Sequence, residues 1–321
     1  MLSIIKRVLK KGEKRRQAVP HYQNIEALME HSLSKPFSFS IDILDGCNLR
    51  CVHCPRGIYF QQNTFNRMTV ADFTQLLNDI MLKTQCQKIE LYNWSEPFLH
   101  TELDQLLHVV KGHQLECILS SNLSFQNDVL LESVLLYSPT LLVSVSGFTQ
   151  ESHERYHQGS HIEQIKRNLQ YIAEFKKTNK AQHTLTVEIR CLEFVDNQQD
   201  QKLWKEYCHQ HGFIYRSLLA YASEVTTIQT AKRLIFPPEF EEHQGTMIIT
   251  RHFSRTPILT ECPLHNTIPV NAFHDVYLCC IYWNREEYKI GNIFEMTIAD
   301  IQRKRLSHHD CSHCTAFRKQ L

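Results

Sequence analysis

The sequence predicts an α/β fold whose centre is a parallel sheet of six β/α units, arranged as an open, partial barrel. Strand-like segments alternate six times with segments whose apolar residues recur at helical spacing, which is typical of βαβ units. The segment 141–145 is almost continuously apolar, as expected of a strand in a parallel sheet covered on both faces. Six units are too few to close the eight-unit barrel, so we expect the barrel to stay open.

Each element has its own pattern. The first strand alternates apolar and polar side chains from Phe37 to Leu44. The helix predicted at 162–176 carries Ile165, Leu169 and Ile172 on one stripe. Strands are predicted at 37–44, 88–92, 115–120, 141–145, 184–189 and 213–215. Helices are predicted at 68–82, 103–110, 129–137, 162–176 and 201–210.

Composition excludes several functional classes. The 321 residues include 35 Lys+Arg and 34 Asp+Glu, a net charge of +1, which argues against a surface built to bind nucleic acid. The apolar runs are far shorter than the ~18–20 residues that span a bilayer, and the charged start does not resemble a secretory signal. No Gly-x-Gly-x-x-Gly or P-loop fingerprint is present, which removes the commoner nucleotide enzymes. The sequence therefore predicts a cytoplasmic protein whose 12 cysteines do not form structural disulfides.

Three cysteines, Cys47, Cys51 and Cys54, lie within eight residues just after the first predicted strand. Cys51-x-x-Cys54 alone would suit a redox pair or half of a zinc site, but structural zinc needs four ligands. Thiolates are also the usual ligands of iron–sulfur clusters, and three of them on a [4Fe–4S] cube leave one iron open. In a parallel β/α barrel the chemistry lies at the carboxyl ends of the strands, and the cysteine loop follows such an end.

This spacing of three residues and then two resembles the radical S-adenosylmethionine (radical SAM) superfamily, whose fold is a TIM-like partial barrel. The resemblance implies that the open iron binds S-adenosylmethionine (AdoMet). It also implies that an electron from the cluster cleaves AdoMet to a 5′-deoxyadenosyl radical, which takes hydrogen from a substrate. Cys47, Cys51 and Cys54 would then hold the catalytic cluster. The family usually has an aromatic residue before the third cysteine; here His53 stands there and would border the cofactor.

The loop after the second predicted strand carries an acidic side chain at a position that the family uses. Glu96-Pro97 matches the family's Gly-Gly-Glu-type turn, whose glutamate receives the AdoMet amine. Trp94 and Ser95 replace the two glycines, so close backbone approach to the cofactor is not implied by the match. The resemblance therefore assigns Glu96 to cofactor binding.

Three further strand ends carry polar side chains. Asn122 and Ser144 follow the third and fourth strands, where the resemblance implies contacts to the ribose or methionine part of AdoMet; a loop cap is the alternative for each. Arg190 ends the fifth strand, and its planar fork would suit the AdoMet carboxylate. A surface salt bridge is the alternative for Arg190.

Five more cysteines lie in the last 60 residues, namely Cys262, Cys279, Cys280, Cys311 and Cys314. Two distant cysteines plus a Cys-x-x-Cys make a four-thiolate site, for which zinc and an iron–sulfur cluster are both plausible. The arrangement resembles the SPASM/twitch-type extension of radical SAM enzymes, a small C-terminal Fe–S extension with an auxiliary [4Fe–4S] cluster. His274 stands where the family's hairpin glycine usually lies, and counting from it favours Cys279 over Cys280 as ligand. Ligation by Cys262, Cys279, Cys311 and Cys314 would leave no open iron and would suit electron transfer.

The patterns divide the chain into a basic segment at 1–36, the partial barrel at 37–220, a linker at 221–257 and the cluster-bearing extension at 258–321. The basic start is expected to be solvated, with an acidic partner or peripheral contact with an anionic membrane as the alternative. Four histidines lie near strand ends, where one could transfer protons, although each singly is expected to be structural. They are His100, His153, His157 and His161.

The sequence as a whole predicts a radical SAM enzyme that oxidises a small polar substrate, such as a sugar or cyclitol, with the auxiliary cluster as electron acceptor. Maturation of a ribosomal peptide is the alternative within this class, although the stretch before the first strand looks short for a leader-peptide-binding domain. A non-catalytic zinc-binding scaffold is the alternative outside it. An electron donor such as flavodoxin or ferredoxin is the expected partner, and no nucleic acid is expected.

Overall fold

The computed structural model describes residues 21–52, 54–59, 65–137, 139–179, 185–220, 225–227, 233, 240–243, 246–249, 257–282 and 286–314. His53 and most of the basic start therefore lie outside the described residues, and the predictions made for them stay predictions. Within the described ranges, no helix is both long enough and apolar enough to cross a membrane.

In the part of the chain that the structure describes, nine strands form one open sheet; with strands numbered along the chain, their order is β12-β11-β10-β1-β2-β3-β4-β5-β6. The six predicted strands are parallel to their neighbours, which confirms the parallel sheet and the open barrel. They are β1 (Phe37–Ile41), β2 (Cys86–Glu90), β3 (Glu116–Ser121), β4 (Thr140–Val145), β5 (Thr186–Glu193) and β6 (Ile214–Leu219).

The C-terminal region extends this sheet. β10 (Thr267–Val270) lies parallel to β1, with Ser38 paired to Thr267, and β11 (Asp275–Tyr277) and β12 (Lys289–Asn292) continue it in antiparallel order. A separate sheet of three short antiparallel strands lies within the stretch expected to be a linker. It contains β7 (Val225–Thr227), β8 (Phe240–His243) and β9 (Thr246–Ile249).

All five helices predicted for the barrel are present, with ends within three residues of the predicted ones, and further helices lie outside these ranges. A capping box between Thr69 and Asp72 starts the third helix, which buries Phe73, Leu76 and Ile80 against the sheet. Their bounds are α1 (Ile25–Leu33), α2 (Pro55–Tyr59), α3 (Val70–Lys83), α4 (Leu103–Gly112), α5 (Asp128–Leu135), α6 (Gln150–Glu154), α7 (Ile162–Thr178), α8 (Gln198–His211), α9 (Ile298–Ser307) and α10 (His309–Ser312).

The two ends of the described chain are joined by polar contacts. The Ser32 hydroxyl on α1 donates to Asn266 Oδ1 (2.9 Å) and accepts from Gln302 Nε2 on α9 (2.7 Å). Both Ser32 and Gln302 are buried, so these bonds hold α1 against the C-terminal region.

The faces of the parallel sheet differ because side chains alternate along each strand. One face is apolar and fully buried under the helices, and it includes Phe39, Ile89, Leu119, Val143 and Ile189. The alternate residues form a polar face, which includes Ser40, Glu90, Ser120, Ser144 and Arg190. The fold therefore presents polar groups near the carboxyl ends of its central strands.

Candidate active site

The cysteine loop follows β1 and is fastened to its surroundings by main-chain bonds. The amide of Arg50 donates to the carbonyl oxygen of Gln158 (3.0 Å), and that of Val52 donates to the carbonyl oxygen of Tyr156 (3.1 Å). Cys47 Sγ accepts from the Leu49 amide at 3.4 Å. The segment after α6 thus forms a wall against which the loop folds.

The three thiols Cys47, Cys51 and Cys54 lie close enough to influence one another's ionisation. Burial raises the pKa of Cys47 to about 12 and raises those of Cys51 and Cys54, and repulsion between the thiolates adds to the effect for Cys47 and Cys51. Glu96 adds a further unfavourable charge at both Cys47 and Cys51. The thiols would therefore stay protonated unless a positively charged metal centre replaced the protons.

The chemistry of this donor set suits an iron–sulfur cluster. Among the described residues, no three His, Cys, Asp or Glu side chains converge on a point where one metal ion would be held. A cubane cluster is wider than a single ion, and each thiolate binds a different iron. Three neighbouring thiols that hold such a cluster therefore need not converge on one point. Three thiols from one loop match a cluster with one open iron better than they match structural zinc, which needs four protein ligands.

Glu96 lies between the cysteine loop and the end of β3. Its amide donates to the carbonyl oxygen of Gly46 (2.9 Å). Its carboxylate accepts from the Ser121 hydroxyl (2.7 Å) and from the amide of Asn122 (2.8 Å). Burial raises the pKa of Glu96 to about 7, although these hydrogen bonds oppose the shift. The loop after β2 therefore places an ionisable carboxyl beside the thiols.

Asn122 touches the cysteine loop directly. Its Nδ2 donates to Asn48 Oδ1 (2.9 Å) and lies 3.8 Å from Cys47 Sγ. The next residue, Leu123, is fully buried and has a φ of 55°, which is costly for a side chain of this size. The buried Asn168 on α7 donates to the carbonyl oxygen of Leu123 (3.0 Å) and so helps to hold this turn. Sequence reasoning missed Asn168, since its polar side chain lies on an otherwise apolar helix stripe.

Asp42, which sequence reasoning also missed, organises the turn that carries Glu96. Its Oδ1 accepts from the amides of Asn93 (3.1 Å), Trp94 (2.9 Å) and Ser95 (2.9 Å) and from the Ser95 hydroxyl (2.6 Å). Burial raises the pKa of Asp42, and these bonds partly offset that rise. Asp42 thus supports a turn in which Trp94 and Ser95 replace glycines. The signal in the sequence was an acid that follows β1, a strand whose polar residues are serines.

Ser144 and Arg190 lie in register on β4 and β5. Arg190 Nε donates to Glu188 Oε1 at 2.7 Å, and Arg216 Nε on β6 lies 2.9 Å from the same oxygen. Burial alone would raise the pKa of Glu188, but bonds from both arginines bring it below its ordinary value. The salt bridge considered for Arg190 is therefore present, and it involves two residues that no sequence motif indicated.

The candidate proton-transfer histidines have structural partners. His153 and His157 are buried and stack with their ring centres 4.5 Å apart. His157 Nδ1 lies 3.0 Å from the Ser146 hydroxyl, and His153 Nε2 lies 3.1 Å from the Ser160 hydroxyl. Burial lowers the pKa of His153 to about 4 and lowers that of His157 well below its ordinary value, so both rings are neutral near pH 7.

The other two histidines differ from this pair. His100 is buried, and its Nε2 lies 2.8 Å from the carbonyl oxygen of Met68. His161 is exposed, and its amide donates to the Ser124 hydroxyl at 2.9 Å.

A second set of thiols lines one pocket in the C-terminal region. The pocket has an empty volume of about 410 Å³, which includes space open to solvent. Apolar side chains, including Leu278 and Tyr282, form much of its wall. The thiols that line it are Cys262, Cys279, Cys311 and Cys314.

Cys280 is not among the residues that line this pocket. Its carbonyl oxygen accepts from the side-chain amide of Asn93 at 3.1 Å, in the amide orientation that satisfies both atoms of that group. A hydrogen bond from the Cys280 thiol lowers the pKa of Cys279. His274 has a φ of 66°, which lies in the left-handed region that favours glycine. This agrees with its alignment to the position of the hairpin glycine. These observations favour Cys279 as the pocket's ligand, and four thiolates suit either an iron–sulfur cluster or zinc.

Comparison with known proteins adds evidence on the fold. No family model matches the chain, and no curated protein matches its sequence. The solved structure of native anSMEcpe with bound AdoMet superposes with a TM-score of 0.61 at 14% identity, over 86% of this chain and 84% of that one. Streptococcus suis SuiB bound to S-adenosylmethionine gives a TM-score of 0.57 at 13% identity, over 93% of this chain and 76% of that one.

A third structure, SuiB bound to its precursor peptide SuiA, gives a TM-score of 0.57 at 13% identity and covers 94% of this chain and 77% of that one. At such identities the likeness concerns the fold. The neighbours are radical SAM enzymes, and the fold predicted by resemblance is confirmed. The chain therefore shares the open, partial-barrel α/β fold of these solved neighbours.

Proposed function

We propose that this chain is a radical SAM enzyme. The observation that carries the proposal is the grouping of three thiols after β1 with Glu96 and Asn122, in a fold whose solved neighbours contain AdoMet. A [4Fe–4S] cluster on Cys47, Cys51 and Cys54 would supply the electron that cleaves AdoMet to a 5′-deoxyadenosyl radical, which takes hydrogen from the substrate.

The chain's own residues would bind and orient the cofactor. Glu96 would accept a hydrogen bond from the AdoMet amine, since an ionised carboxylate is an acceptor and the amine is a cationic donor. Asn122 would hold the cysteine loop through Asn48 and face the cofactor beside Cys47. Ser144 and one fork of Arg190 would bind the ribose or carboxylate end.

The four C-terminal thiols would hold a second [4Fe–4S] cluster that exchanges electrons. Support comes from the number of thiols on one pocket and from its largely apolar lining, which restricts access by water. Zinc at this pocket is the alternative, because four thiolates also suit a structural zinc ion. A flavodoxin or ferredoxin would supply the electron for AdoMet cleavage.

The substrate class has two candidates. The polar face of the sheet favours a polar substrate, and a small sugar-like molecule is the first candidate. A ribosomal peptide is the second candidate, because SuiB, which shares this fold, was solved with its precursor peptide SuiA.

Anaerobic reconstitution with iron and sulfide tests the proposal. We expect about eight irons per chain, from two [4Fe–4S] clusters, and production of 5′-deoxyadenosine from AdoMet under reducing conditions. Cys51→Ala should lose about four irons and bring AdoMet cleavage down to background. Cys117→Ala is the matched control, because it removes a thiol that belongs to neither set of proposed ligands. It should retain the full iron content and the AdoMet cleavage. Stoichiometric zinc with no AdoMet cleavage would contradict the proposal.

A further inference from the structure

A row of three hydrogen-bond donors crosses the polar face of the sheet. Ser144 on β4 is in register with Arg190 on β5, and Arg190 is in register with Arg216 on β6. The row lies near the carboxyl end of β4 and in the middle of β5 and β6, at the level where Asn122 follows β3. Two guanidinium groups on adjacent strands would repel each other without a shared counter-ion.

Glu188, which lies two residues before Arg190 on β5, supplies that counter-ion. Both arginines approach the same atom, Glu188 Oε1, through Nε, at 2.7 Å for Arg190 and 2.9 Å for Arg216. The Glu188 side chain is only 9% exposed, so its carboxylate is a fixed part of the site. Within the described residues, the terminal Nη groups of Arg190 and Arg216 have no hydrogen-bond partner. Each arginine is thus oriented by Nε, and its planar fork remains available.

The charges of these three side chains do not cancel. Two guanidinium groups share one carboxylate, which leaves one positive charge. Another ion pair on the same face joins Lys88 to Glu90 at 2.7 Å on β2 and is neutral by itself. A pair of guanidinium forks with excess positive charge is matched to a carboxylate or phosphate group.

We propose that Arg216, positioned by Glu188, binds an anionic group of the substrate, a carboxylate or a phosphate. The inference rests on the proposed function, in which AdoMet carries a single carboxylate that one fork of the row would occupy. That carboxylate would balance the remaining positive charge, and the second fork would stay free to donate hydrogen bonds to a further anionic group. Arg216 is the better placed of the two for a group arriving from solvent, since its side chain is 57% exposed and that of Arg190 is 32% exposed.

Titration calorimetry on the reconstituted, full-length chain saturated with AdoMet tests the assignment, with succinate and inorganic phosphate as separate probes. We expect one of the two to bind, and Arg216→Gln to weaken it by about tenfold to a hundredfold, the usual range for losing charge-assisted bonds. Arg216→Lys keeps the positive charge but loses the planar fork. Its affinity for the probe should therefore lie between those of the parent chain and Arg216→Gln. Arg167→Gln, which removes an exposed arginine from α7, is the matched control and should bind like the parent chain.

Three outcomes would overturn the assignment. The parent chain binds neither probe, or Arg216→Gln and Arg216→Lys both bind as tightly as the parent, or Arg216→Gln weakens AdoMet itself as much as the probe. The last result would indicate that Arg190 and Arg216 both bind AdoMet. Production of 5′-deoxyadenosine by the same parent preparation reports separately on the proposed function, because anion binding requires no AdoMet cleavage.

Discussion

The two sets of cysteines are built in opposite ways. The set after β1 comes from one eight-residue loop and has polar neighbours, Glu96 and Asn122 among them. The C-terminal set comes from three separate places along 53 residues and lines a pocket with largely apolar walls. The buried Arg305 lies in that pocket's wall, and its guanidinium is held by main-chain carbonyl oxygens such as that of Leu278 (2.8 Å).

The difference teaches how one kind of ligand can serve two purposes. Three thiols leave a coordination position open, and polar groups beside them can orient whatever binds there. Four thiols complete the coordination, and an apolar wall keeps other ligands away. We therefore expect chemistry at the loop and electron exchange or structural support at the pocket.

The largest expected effect separates Cys279 from its neighbour Cys280. Cys279→Ala should lose about four of the eight irons expected per reconstituted chain, because it removes one thiol from the pocket. Cys280→Ala is the matched control and should keep them, since Cys280 does not line the pocket. Iron analysis measures both. If Cys280→Ala lost the iron and Cys279→Ala kept it, the ligand assignment would be wrong.

The second prediction concerns the loop region: the free energy of unfolding should depend on pH through the ionisation of Glu96. In the metal-free chain the pKa of Glu96 is raised from 4.5 to about 7 by burial. Between these values the folded chain holds a proton that the unfolded chain has lost, so the free energy of unfolding should fall as pH rises from about 4.5 to 7. The total change is about 3 kcal/mol.

Urea denaturation of the metal-free chain at several pH values measures how steeply the free energy of unfolding depends on pH. Glu96→Gln should remove the Glu96 contribution, whereas Glu163→Gln, at an exposed position on α7, should leave it in place. An unchanged slope in Glu96→Gln would show that another group is responsible.

The smallest effect tests the support that Asp42 gives to the Glu96 turn. Asp42→Asn keeps an acceptor but removes the charge that receives four hydrogen bonds from Asn93, Trp94 and Ser95. We expect AdoMet to bind about tenfold more weakly, with the iron content unchanged. Equilibrium dialysis with labelled AdoMet measures the affinity. The double variant with Ser95→Ala should lose less than the two single losses combined, because both changes act on one bond. A variant that binds AdoMet like the parent would refute this role.

The sequence predicted what depends on local spacing. Helix stripes, strand alternation and the cysteine loop all involve residues that lie close in the chain, so the parallel sheet and its helices could be inferred in order. The role of Asp42 could not be inferred, because its partners lie more than 50 residues away and the acid ends a strand of ordinary appearance. The same holds for Arg216, whose meaning appears only when strand register places it beside Arg190.

The pairing of β1 with β10 has a consequence for the time course of synthesis. Ser38 and Thr267 are neighbours in the sheet but lie 229 residues apart in the chain. At ordinary translation speed, roughly 10 to 50 s pass between their appearances. During this interval one edge of β1, the strand that leads into the cysteine loop, lacks its final neighbour and is open to pairing with other chains. Cys314 is synthesised later still. The nascent chain must therefore stay reduced and unaggregated until the fold around each set of thiols is complete and metal can bind there.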